Sequence, residues 1–398
     1  MANAYDVCVI GGLGHIGLPL GISLAQTGMK VAAYDINEKA VQTISAGKIP
    51  FMEQGADEVL AKVLNNTFFV SNDKNVIRQA HYVVVVIGTP VDEYLNPQYR
   101  IFLDFFDGLM QDIVDGQHIV LRSTVYPGTT ENVCAYLKKH NKNVRLSFCP
   151  ERLAEGKGME ELRTLPQIIS AFDETSFEEA EKLFKHLTKD VLRLTPPEAE
   201  LAKLFTNSWR YIMFATANQF YQLAASHNLD FYKIYDALTF NYPRAKAFPK
   251  AGFAAGPCLF KDTMQLSSFS NNNFFLGHSA MLLNEGLPNF VISQLQSKID
   301  LKTKTVGILG MAFKANIDDK RESLSYKLKK ILTVEAAQVL CHDVYIKDAD
   351  FVTTDELLKK CDILIVGTPH KEYSELKIPE HIHLVDIWNF YNKGGKIL

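Results

Sequence analysis

The sequence lacks any apolar run long enough to cross a membrane. Its apolar runs, such as Tyr82 to Ile87 and Ile363 to Val366, fall far short of the roughly 20 residues that a spanning helix needs. The N-terminal residues also lack the basic region and the apolar core of a secretory signal. These absences predict a cytoplasmic protein with no membrane partner.

The sequence also has no closely spaced cysteine pair and only a small net charge. The six cysteines are scattered without a CxxC pair, which argues against a zinc site and a disulfide framework, and no metal is expected. The 42 Lys and Arg residues against 45 Asp and Glu give a net charge of -3, which excludes a polybasic nucleic-acid binder. With 398 residues, 47% of them hydrophobic, the chain is long enough for two or three globular domains.

The beginning of the chain follows a strand, turn, helix, strand pattern. Tyr5 to Ile10 is apolar, GGLGHIG follows, Leu18 to Gln26 is helical, and Lys30 to Tyr34 is apolar again. Helical stretches then alternate with further strand candidates at Tyr82 to Ile87, His118 to Leu121 and Arg145 to Phe148. The pattern predicts an α/β fold with a doubly wound parallel sheet.

A different, mostly helical region begins at Thr195. This residue can cap a helix, two prolines suit the first turn, and Glu198 stands three residues after the cap, so a helix of about 30 residues is expected. The helix is apolar on more than one side, through Leu201, Leu204, Phe205, Trp209, Ile212, Met213 and Phe214. Such a helix is expected to bury against a second helix or a second subunit.

From Lys302 onward the sequence echoes its beginning. KTVGILGMAFK parallels YDVCVIGGLGH, CHDVY parallels AAYDIN, and CDILIVGTPH parallels AHYVVVVIGTP. The echoes predict two Rossmann-like domains, 1–195 and 301–398, joined by a central helical domain, 196–300. The second has only Gly307 and Gly310 at its corresponding turn, so it is expected to have lost dinucleotide binding.

The first turn carries a dinucleotide-binding pattern. Gly12, Gly14 and Gly17 form GxGxxG between strand and helix, where backbone amides can approach a pyrophosphate. Asp35 stands 18 residues beyond Gly17, where a carboxylate accepts both ribose hydroxyls and repels a 2′-phosphate. NAD is therefore favoured over NADP. The alternative is a tight turn that binds no ligand.

Five further segments have compositions that folding alone does not require. They are Ser123 to Thr130, Pro150-Glu151-Arg152, Lys203 with Asn207, Gly256 to Asp262, and Phe313-Lys314 followed by Asp319 to Ser323. Together with GKIPFMEQG near residue 50, they resemble the UDP-glucose/GDP-mannose dehydrogenase family, the NAD-dependent nucleotide-sugar 6-dehydrogenases. The resemblance covers nearly the whole chain. It implies that a sugar 6-hydroxyl is oxidised twice, through an aldehyde and a cysteine thioester, to a uronate.

The resemblance assigns the oxidation steps to four residues. Cys258 matches the nucleophile of the family, and nearby Lys203 favours the thiolate that it requires. Lys203 and Asn207 lie four residues apart on one helix face and stabilise the oxyanions. Asp262 holds the lysine or a water that takes the first proton.

Hydrolysis, cofactor binding and substrate binding are assigned to five others. Glu151 resembles the residue that activates water against the thioester, and Thr124 helps to position that water. Arg321 resembles an arginine that reaches NAD, and Lys314 resembles a lysine that contacts the nucleotide diphosphate. Arg244 resembles an arginine that some members donate across a dimer interface, so a homodimer with a shared substrate site is expected.

The predicted site has three parts, and the predicted catalytic residues are Cys258, Lys203, Asn207, Asp262, Glu151 and Thr124. The predicted cofactor-binding residues are Gly12, Gly14, His15, Ile16, Gly17, Asp35, Thr89, Thr124 and Arg321. The predicted substrate-binding residues are Glu151, Lys203, Asn207, Arg244, Gly256 and Lys314.

Three positions depart from the family pattern. Pro257 stands where many members have histidine or serine, Gln219 where glutamate is common, and His15 replaces an aromatic residue. Tyr242-Pro243-Arg244 is similar to the N-acetylhexosamine enzymes, whereas Lys261-Asp262 is similar to the UDP-glucose enzymes. UDP-glucose, a UDP-N-acetylhexosamine and GDP-mannose all stay open as substrates. So do two other functions, a single-step hydroxyacid dehydrogenase and a nucleotide-sugar binding protein without catalysis.

Overall fold

The computed structural model describes residues 3–89, 92, 100–254 and 256–397. By its internal contacts the chain forms two compact units, 1–206 and 207–398. The three-domain division drawn from the sequence stays a prediction.

The first unit is built on one large sheet. Its described strands are β1 Tyr5–Ile10, β2 Val31–Tyr34, β3 Phe68–Ser71, β4 Ala80–Val85, β5 His118–Leu121, β6 Arg145–Phe148, β7 Gln167–Ala171 and β8 Val191–Leu194. They lie in the order β3-β2-β1-β4-β5-β6-β7-β8, and neighbours are parallel except β6 and β7.

Helices surround this sheet. Those described are α1 Gly17–Gln26, α2 Glu38–Ser45, α3 Ala56–Val63, α4 Asn75–Arg78, α5 Arg100–Leu109, α6 Thr129–Lys139, α7 Gly158–Thr164, α8 Glu174–Phe184 and α9 Pro196–Ser226. Alternate residues of β1 enter two separate apolar cores, Val7 and Val9 one of them, Cys8 and Ile10 the other. Burial on both faces explains why the strand is a continuous apolar run.

The parallel register aligns the loops that carry the predicted site. Ile10 pairs with Val85, Val85 with Leu121, and Leu121 with Phe148. The segments after β1, β4, β5 and β6 therefore leave the sheet at one edge. Since β1 lies between β2 and β4, this edge is the point where strand order reverses and ligands bind in such sheets.

The second unit contains a smaller parallel sheet and several helices. Its described strands are β9 Thr305–Leu309, β10 Gln338–His342, β11 Ile363–Val366 and β12 His383–Val385. Besides the end of α9, the described helices are α10 Phe231–Thr239, α11 Leu259–Phe269, α12 Phe275–Gln296, α13 Leu324–Glu335 and α14 Thr354–Lys360. The order β10-β9-β11-β12 repeats β2-β1-β4-β5, which confirms the predicted α/β class with a second Rossmann-like sheet.

One glycine of the second half was placed wrongly from the sequence. Gly307 lies inside β9, where its missing side chain leaves room for Leu357 and Leu364, and not in the turn. Gly310 does lie in the turn, with a φ of +91°, and a Cβ there would meet the Thr368 carbonyl oxygen at 2.2 Å.

The long helix α9 begins as its sequence predicts. The Thr195 N–H and hydroxyl both donate to the Glu198 carboxylate, at 2.8 and 2.7 Å, and the Thr195 carbonyl accepts the first helical bond from Ala199. These bonds lower the pKa of the Glu198 carboxyl. Within the described part of the chain, no helix combines the length and apolarity that crossing a membrane takes.

Candidate active site

The glycines after β1 serve different purposes. A Cβ on Gly11, whose φ is +71°, would lie 1.9 Å from the Val86 carbonyl oxygen, and one on Gly17 would lie 2.2 Å from the Gly11 oxygen. Gly12 similarly abuts Ala33. A Cβ on Gly14 would meet nothing nearer than 3.9 Å, so the protein itself does not require glycine there. Its absent side chain instead leaves the backbone open to a close ligand, as a bound pyrophosphate needs.

The first turn of α1 faces the same space. Among the described residues no side chain caps this helix, which starts after Ile16. The positive end of the helix dipole suits a pyrophosphate. The neighbouring His15 packs its ring against Phe51, with 4.1 Å between ring centroids. The turn therefore fits the phosphates of NAD.

Substitution of two glycines by alanine should separate ligand binding from folding. Gly14→Ala is expected to weaken NAD binding about tenfold, with a melting temperature close to that of the parent, because the new methyl meets only the ligand. Gly17→Ala forces α1 away from the turn and should destabilise the protein by about 1–3 kcal/mol. Calorimetry with NAD and thermal unfolding measure the two effects. Parental NAD affinity in Gly14→Ala would contradict the placement of the pyrophosphate.

The acid after β2 retains free acceptor capacity. The Oδ2 atom of Asp35 accepts from the Leu13 N–H at 3.2 Å, and Oδ1 accepts from the Asn37 N–H at 3.0 Å. Each carboxylate oxygen has a further lone pair, so both can still accept a ribose hydroxyl.

In the corresponding acid of the second unit, both carboxylate oxygens already accept hydrogen bonds from backbone N–H groups. Asp343 Oδ2 accepts from the N–H groups of Met311 and Ala312, and Oδ1 accepts from those of Tyr345 and Ile346. His370 pairs with it at 3.1 Å, and both side chains are fully buried. Burial raises the pKa of Asp343, but the His370 hydrogen bond and the backbone N–H groups lower it to about 2. This engagement supports the expected loss of dinucleotide binding in the second half.

Glu151 and Lys203 form a buried ion pair in the first unit. Lys203 Nζ lies 3.3 Å from Glu151 Oε1, and the two side chains are 5% and 12% exposed. The other carboxylate oxygen accepts from the Leu153 N–H at 2.6 Å. The ion pair and this bond together fix the orientation of the carboxylate. A carboxylate so held is suited to orienting and deprotonating a water.

Two residues that the sequence analysis did not identify hold the segment before Glu151. Arg122 Nη1 donates to the Cys149 carbonyl at 3.1 Å and to Gln167 Oε1 at 2.9 Å, while Gln167 Nε2 donates to the Pro150 carbonyl at 3.2 Å. Burial lowers the pKa of Arg122, and the Glu151 charge acts in the opposite direction. A charged residue directly after the apolar strand β5 was the one available sequence signal.

The segment Ser123 to Thr130 has partly structural duties. The Thr89 hydroxyl donates to the Thr124 carbonyl at 2.6 Å, which connects the segments after β4 and β5. The N–H groups of Gly128 and Thr130 donate to the buried Glu200 carboxylate at 2.6 and 2.8 Å. Burial raises the pKa of Glu200. The Thr130 hydroxyl also donates to Glu200, at 2.6 Å, and Gly128 has a φ of +92°, so the expectation that folding does not need this composition was wrong for its second half.

In the second unit, the cysteine loop leads into α11. Cys258 is exposed and directly precedes the first turn of this helix, where the helix dipole favours a negative charge. Asp262 lies one turn later, fully buried, and its Oδ2 accepts from Asn207 Nδ2 at 2.6 Å. Lys261 Nζ lies 3.0 Å from the Asp262 Oδ1 atom. Asp262, one turn after the cysteine along α11, therefore anchors Asn207.

Gly256 lets this loop pack closely. Its φ is +117°, and a Cβ would lie 2.7 Å from the ring of Phe313, the residue before Lys314. The cysteine loop and the segment that carries Lys314 are thus neighbours within the second unit.

The two predicted arginines have different surroundings. Arg321 Nε donates to Asp319 Oδ2 at 2.8 Å, and the Arg321 N–H donates to Asp319 Oδ1 at 2.9 Å. Arg244 is exposed, and its Nε donates to the Tyr242 hydroxyl at 2.7 Å. The structure thus pairs Glu151 with Lys203 and Asn207 with Asp262. The role of each site residue stays a prediction.

Known proteins resemble the whole chain. Three domain models of the UDP-glucose/GDP-mannose dehydrogenase family match it: the NAD binding domain at 5–188, the central domain at 197–285 and the UDP binding domain at 307–393. The UDP-N-acetyl-D-mannosamine dehydrogenase of Methanocaldococcus jannaschii is 29% identical over 374 residues, covering 92% of this chain and 86% of that one. The Campylobacter jejuni enzyme of the same name is 27% identical over 406 residues, covering 95% and 98%.

A solved structure shares the fold. The UDP-D-ManNAc dehydrogenase of Pyrococcus horikoshii superimposes with a TM-score of 0.89 at 25% identity, covering 96% of this chain and 95% of that one. Because the three domain models follow one another and together span most of the sequence, this chain belongs to the UDP-glucose/GDP-mannose dehydrogenase family of NAD-dependent nucleotide-sugar dehydrogenases.

Proposed function

We propose that the protein oxidises the 6-hydroxyl of a UDP-N-acetylhexosamine, with UDP-N-acetylmannosamine as the first candidate, to the uronate. The similar proteins named above support this sugar, as does the Tyr242-Pro243-Arg244 run. The observation that carries the two-step chemistry is the first turn of α11, where exposed Cys258 precedes buried Asp262 and its bond to Asn207. A single oxidation would need no cysteine.

The overall reaction converts one alcohol, two NAD⁺ and one water into one carboxylate, two NADH and three protons. Bound NAD accepts the hydride in each oxidation. In the first, a water held by Asp262 takes the hydroxyl proton, while Lys203 and Asn207 stabilise the developing oxyanion. The product of this step is an aldehyde.

The second oxidation passes through the cysteine. The Cys258 thiolate adds to the aldehyde carbon, and loss of hydride from that carbon leaves a thioester. Glu151 then takes a proton from a water that Thr124 helps to position. The water oxygen bonds to the acyl carbon, the carbon–sulfur bond breaks, and the thiolate and the carboxylate are released.

The remaining predicted residues bind the substrate and the cofactor. Lys314 contacts the diphosphate of the substrate, and Arg321 reaches NAD. Gly12, Gly14, Gly17 and the Asp35 carboxylate hold the other parts of the cofactor. The proposal also places the enzyme in the cytoplasm, where its scattered cysteines stay reduced.

Counting NADH against sugar tests the function. The panel is UDP-N-acetylmannosamine, UDP-N-acetylglucosamine, UDP-glucose and GDP-mannose, with absorbance of NADH and chromatography of the product. We expect two NADH per sugar, and the largest kcat/KM for a UDP-N-acetylhexosamine. One NADH per sugar would support the single-step alternative, and no reduction with any sugar would support a binding protein. A larger kcat/KM for UDP-glucose or GDP-mannose would overturn the proposed sugar.

The proposal includes a homodimer built on α9. Phe205, Trp209, Phe220 and Leu223 are 54%, 63%, 45% and 53% exposed. At 100° per residue they fall within about 60° of one helix face, in a stripe about 27 Å long. A stripe of this kind on a long helix suits the same helix of a second copy, related by a two-fold axis.

Trp209→Asp is expected to break this dimer. Loss of a large central apolar side chain costs about 2 kcal/mol or more, and a buried charge adds to that cost. Light scattering should then report one chain of 44.8 kDa where the parent shows two. Val334→Asp, which replaces an apolar residue 66% exposed on α13, is the matched control and should stay dimeric. A fully active parent monomer would refute the dimer.

Mixed subunits test whether Arg244 is shared. When Arg244→Ala and Cys258→Ala chains exchange, a shared arginine gives one heterodimer site with both residues intact. Activity should therefore return on mixing. No return would place Arg244 in the site of its own chain.

A further inference from the structure

The motif CDILIVGTPH ends in a histidine that the proposed chemistry does not use. His370 follows β11 and is fully buried. Its Nδ1 accepts from the Asn316 N–H at 2.9 Å, and its Nε2 faces Asp343 Oδ2 at 3.1 Å. Because Nδ1 is an acceptor, the proton of the neutral ring belongs on Nε2, which donates to the carboxylate. The ring therefore links a backbone loop to a buried acid.

That loop carries Lys314. On its N-terminal side, the N–H groups of Met311 and Ala312 donate to Asp343, at 2.6 and 3.0 Å, and the Thr368 hydroxyl donates to the Ala312 carbonyl. These contacts fix the chain two residues before the lysine.

Asn316 fixes the other side. It has a left-handed backbone, with a φ of +62°, and its N–H donates to His370. Its side-chain oxygen accepts from the Lys371 N–H at 2.9 Å. Lys314 thus lies between two anchored points. The chain before it bonds to Asp343 and Thr368, and Asn316 after it bonds to His370 and Lys371.

We propose that His370 is a positioning residue for the nucleotide-sugar substrate: its Nδ1 bond to Asn316 fixes the loop that presents Lys314 to the diphosphate. The Nε2 bond to Asp343 serves the stability of the fold. The inference rests on the proposed contact between Lys314 and the diphosphate. The two ring nitrogens therefore have separable effects, one on substrate affinity and one on stability.

Two amide substitutions separate the nitrogens. In His370→Asn the side-chain oxygen can take the place of Nδ1 and accept from Asn316, while the contact with Asp343 is lost. In His370→Gln the terminal NH₂ can take the place of Nε2 and donate to Asp343, while the bond from Asn316 is lost. His370→Asn should therefore lose stability, whereas His370→Gln should lose substrate affinity.

The experiment measures binding of UDP by calorimetry, KM and kcat for the preferred UDP-sugar, and thermal unfolding of the full chain. His370→Gln should weaken UDP binding and raise KM roughly fivefold or more, with kcat near the parent value. His370→Asn should stay within about twofold of the parent in UDP affinity but melt at a lower temperature. NAD affinity should be unchanged in both. Equal losses of UDP affinity in the two variants would reduce His370 to a structural residue.

Lys314→Ala tests the proposed contact with the diphosphate separately from the role of His370. If Lys314→Ala weakens UDP binding and His370→Gln does not, the inference on His370 is wrong and the diphosphate contact stands. If Lys314→Ala leaves UDP affinity intact, the diphosphate contact is wrong and the positioning role falls with it.

If His370→Gln does not fold, a substitution at the exposed residue Asn316 tests the proposal instead. Asn316→Gly keeps the positive φ and removes the side-chain bond to Lys371. The Asn316 N–H that donates to His370 is kept in this variant, so UDP affinity should stay within about twofold of the parent at nearly parental stability. A loss of UDP affinity as large as that of Lys314→Ala would assign the anchor to the Asn316 side chain and overturn the role of His370.

Discussion

Cys258→Ser is expected to abolish uronate formation, by at least about 10³-fold, while a slow first oxidation continues. A serine hydroxyl carries no charge at neutral pH, and the dipole of α11 cannot supply the nucleophile that the thiolate provides. The aldehyde of the first step is therefore not carried forward. Chromatography should show no uronate, and NADH should accumulate only slowly.

Cys134→Ser is the matched control for this variant. Cys134 is half-buried in α6 of the first unit, outside every segment assigned to the site, so its replacement should leave the rate unchanged. Uronate production at the parental rate by Cys258→Ser would eliminate the covalent route.

Glu151→Gln should stop the enzyme one step later. Glutamine keeps an oxygen for the Leu153 N–H but cannot take a proton from water, so acylation survives and hydrolysis slows by about 10²–10⁴-fold. A rapid burst of two NADH per active site should precede the stall. Intact-mass spectrometry of the stalled enzyme should show the chain carrying one acyl group.

The double variant Glu151→Gln with Cys258→Ser checks where the acyl group resides. It should show no added mass, because the attachment point is gone. Since Glu151→Gln also leaves Lys203 without its carboxylate, circular dichroism must confirm the fold of both variants. Unmodified protein in stalled Glu151→Gln would contradict the role of Glu151.

The sequence predicted best the parts of the fold that local patterns control. The bounds of β5 and β6 agree residue for residue with the strand candidates read from the sequence, and both strands are almost wholly buried. The start of α9 was equally predictable, because a cap, prolines and a glutamate three residues on act within a single turn.

The supports of the site could not be predicted in the same way. Arg122 bonds to residues 27 and 45 positions away, and Glu200 holds a loop 70 positions away. Neither contact leaves a periodic trace in the sequence, because each depends on how distant segments meet in the fold. The error at Gly307 has a related cause: a glycine packed inside a strand and a glycine in a turn look alike without neighbours.

The two hydrogen bonds that Asp343 accepts from its own turn distinguish the second half of the chain from the first. Counted from the end of each first strand, Met311 stands where the first half has Gly12, and Phe313 where it has Gly14. Phe313 now supports Gly256 in the cysteine loop, and Asp343 closes its own turn. Replacing Phe313 by glycine would remove its contact with Gly256 and would leave Asp343 bonded to Met311 and Ala312, so that change alone would not turn this loop into a second cofactor site.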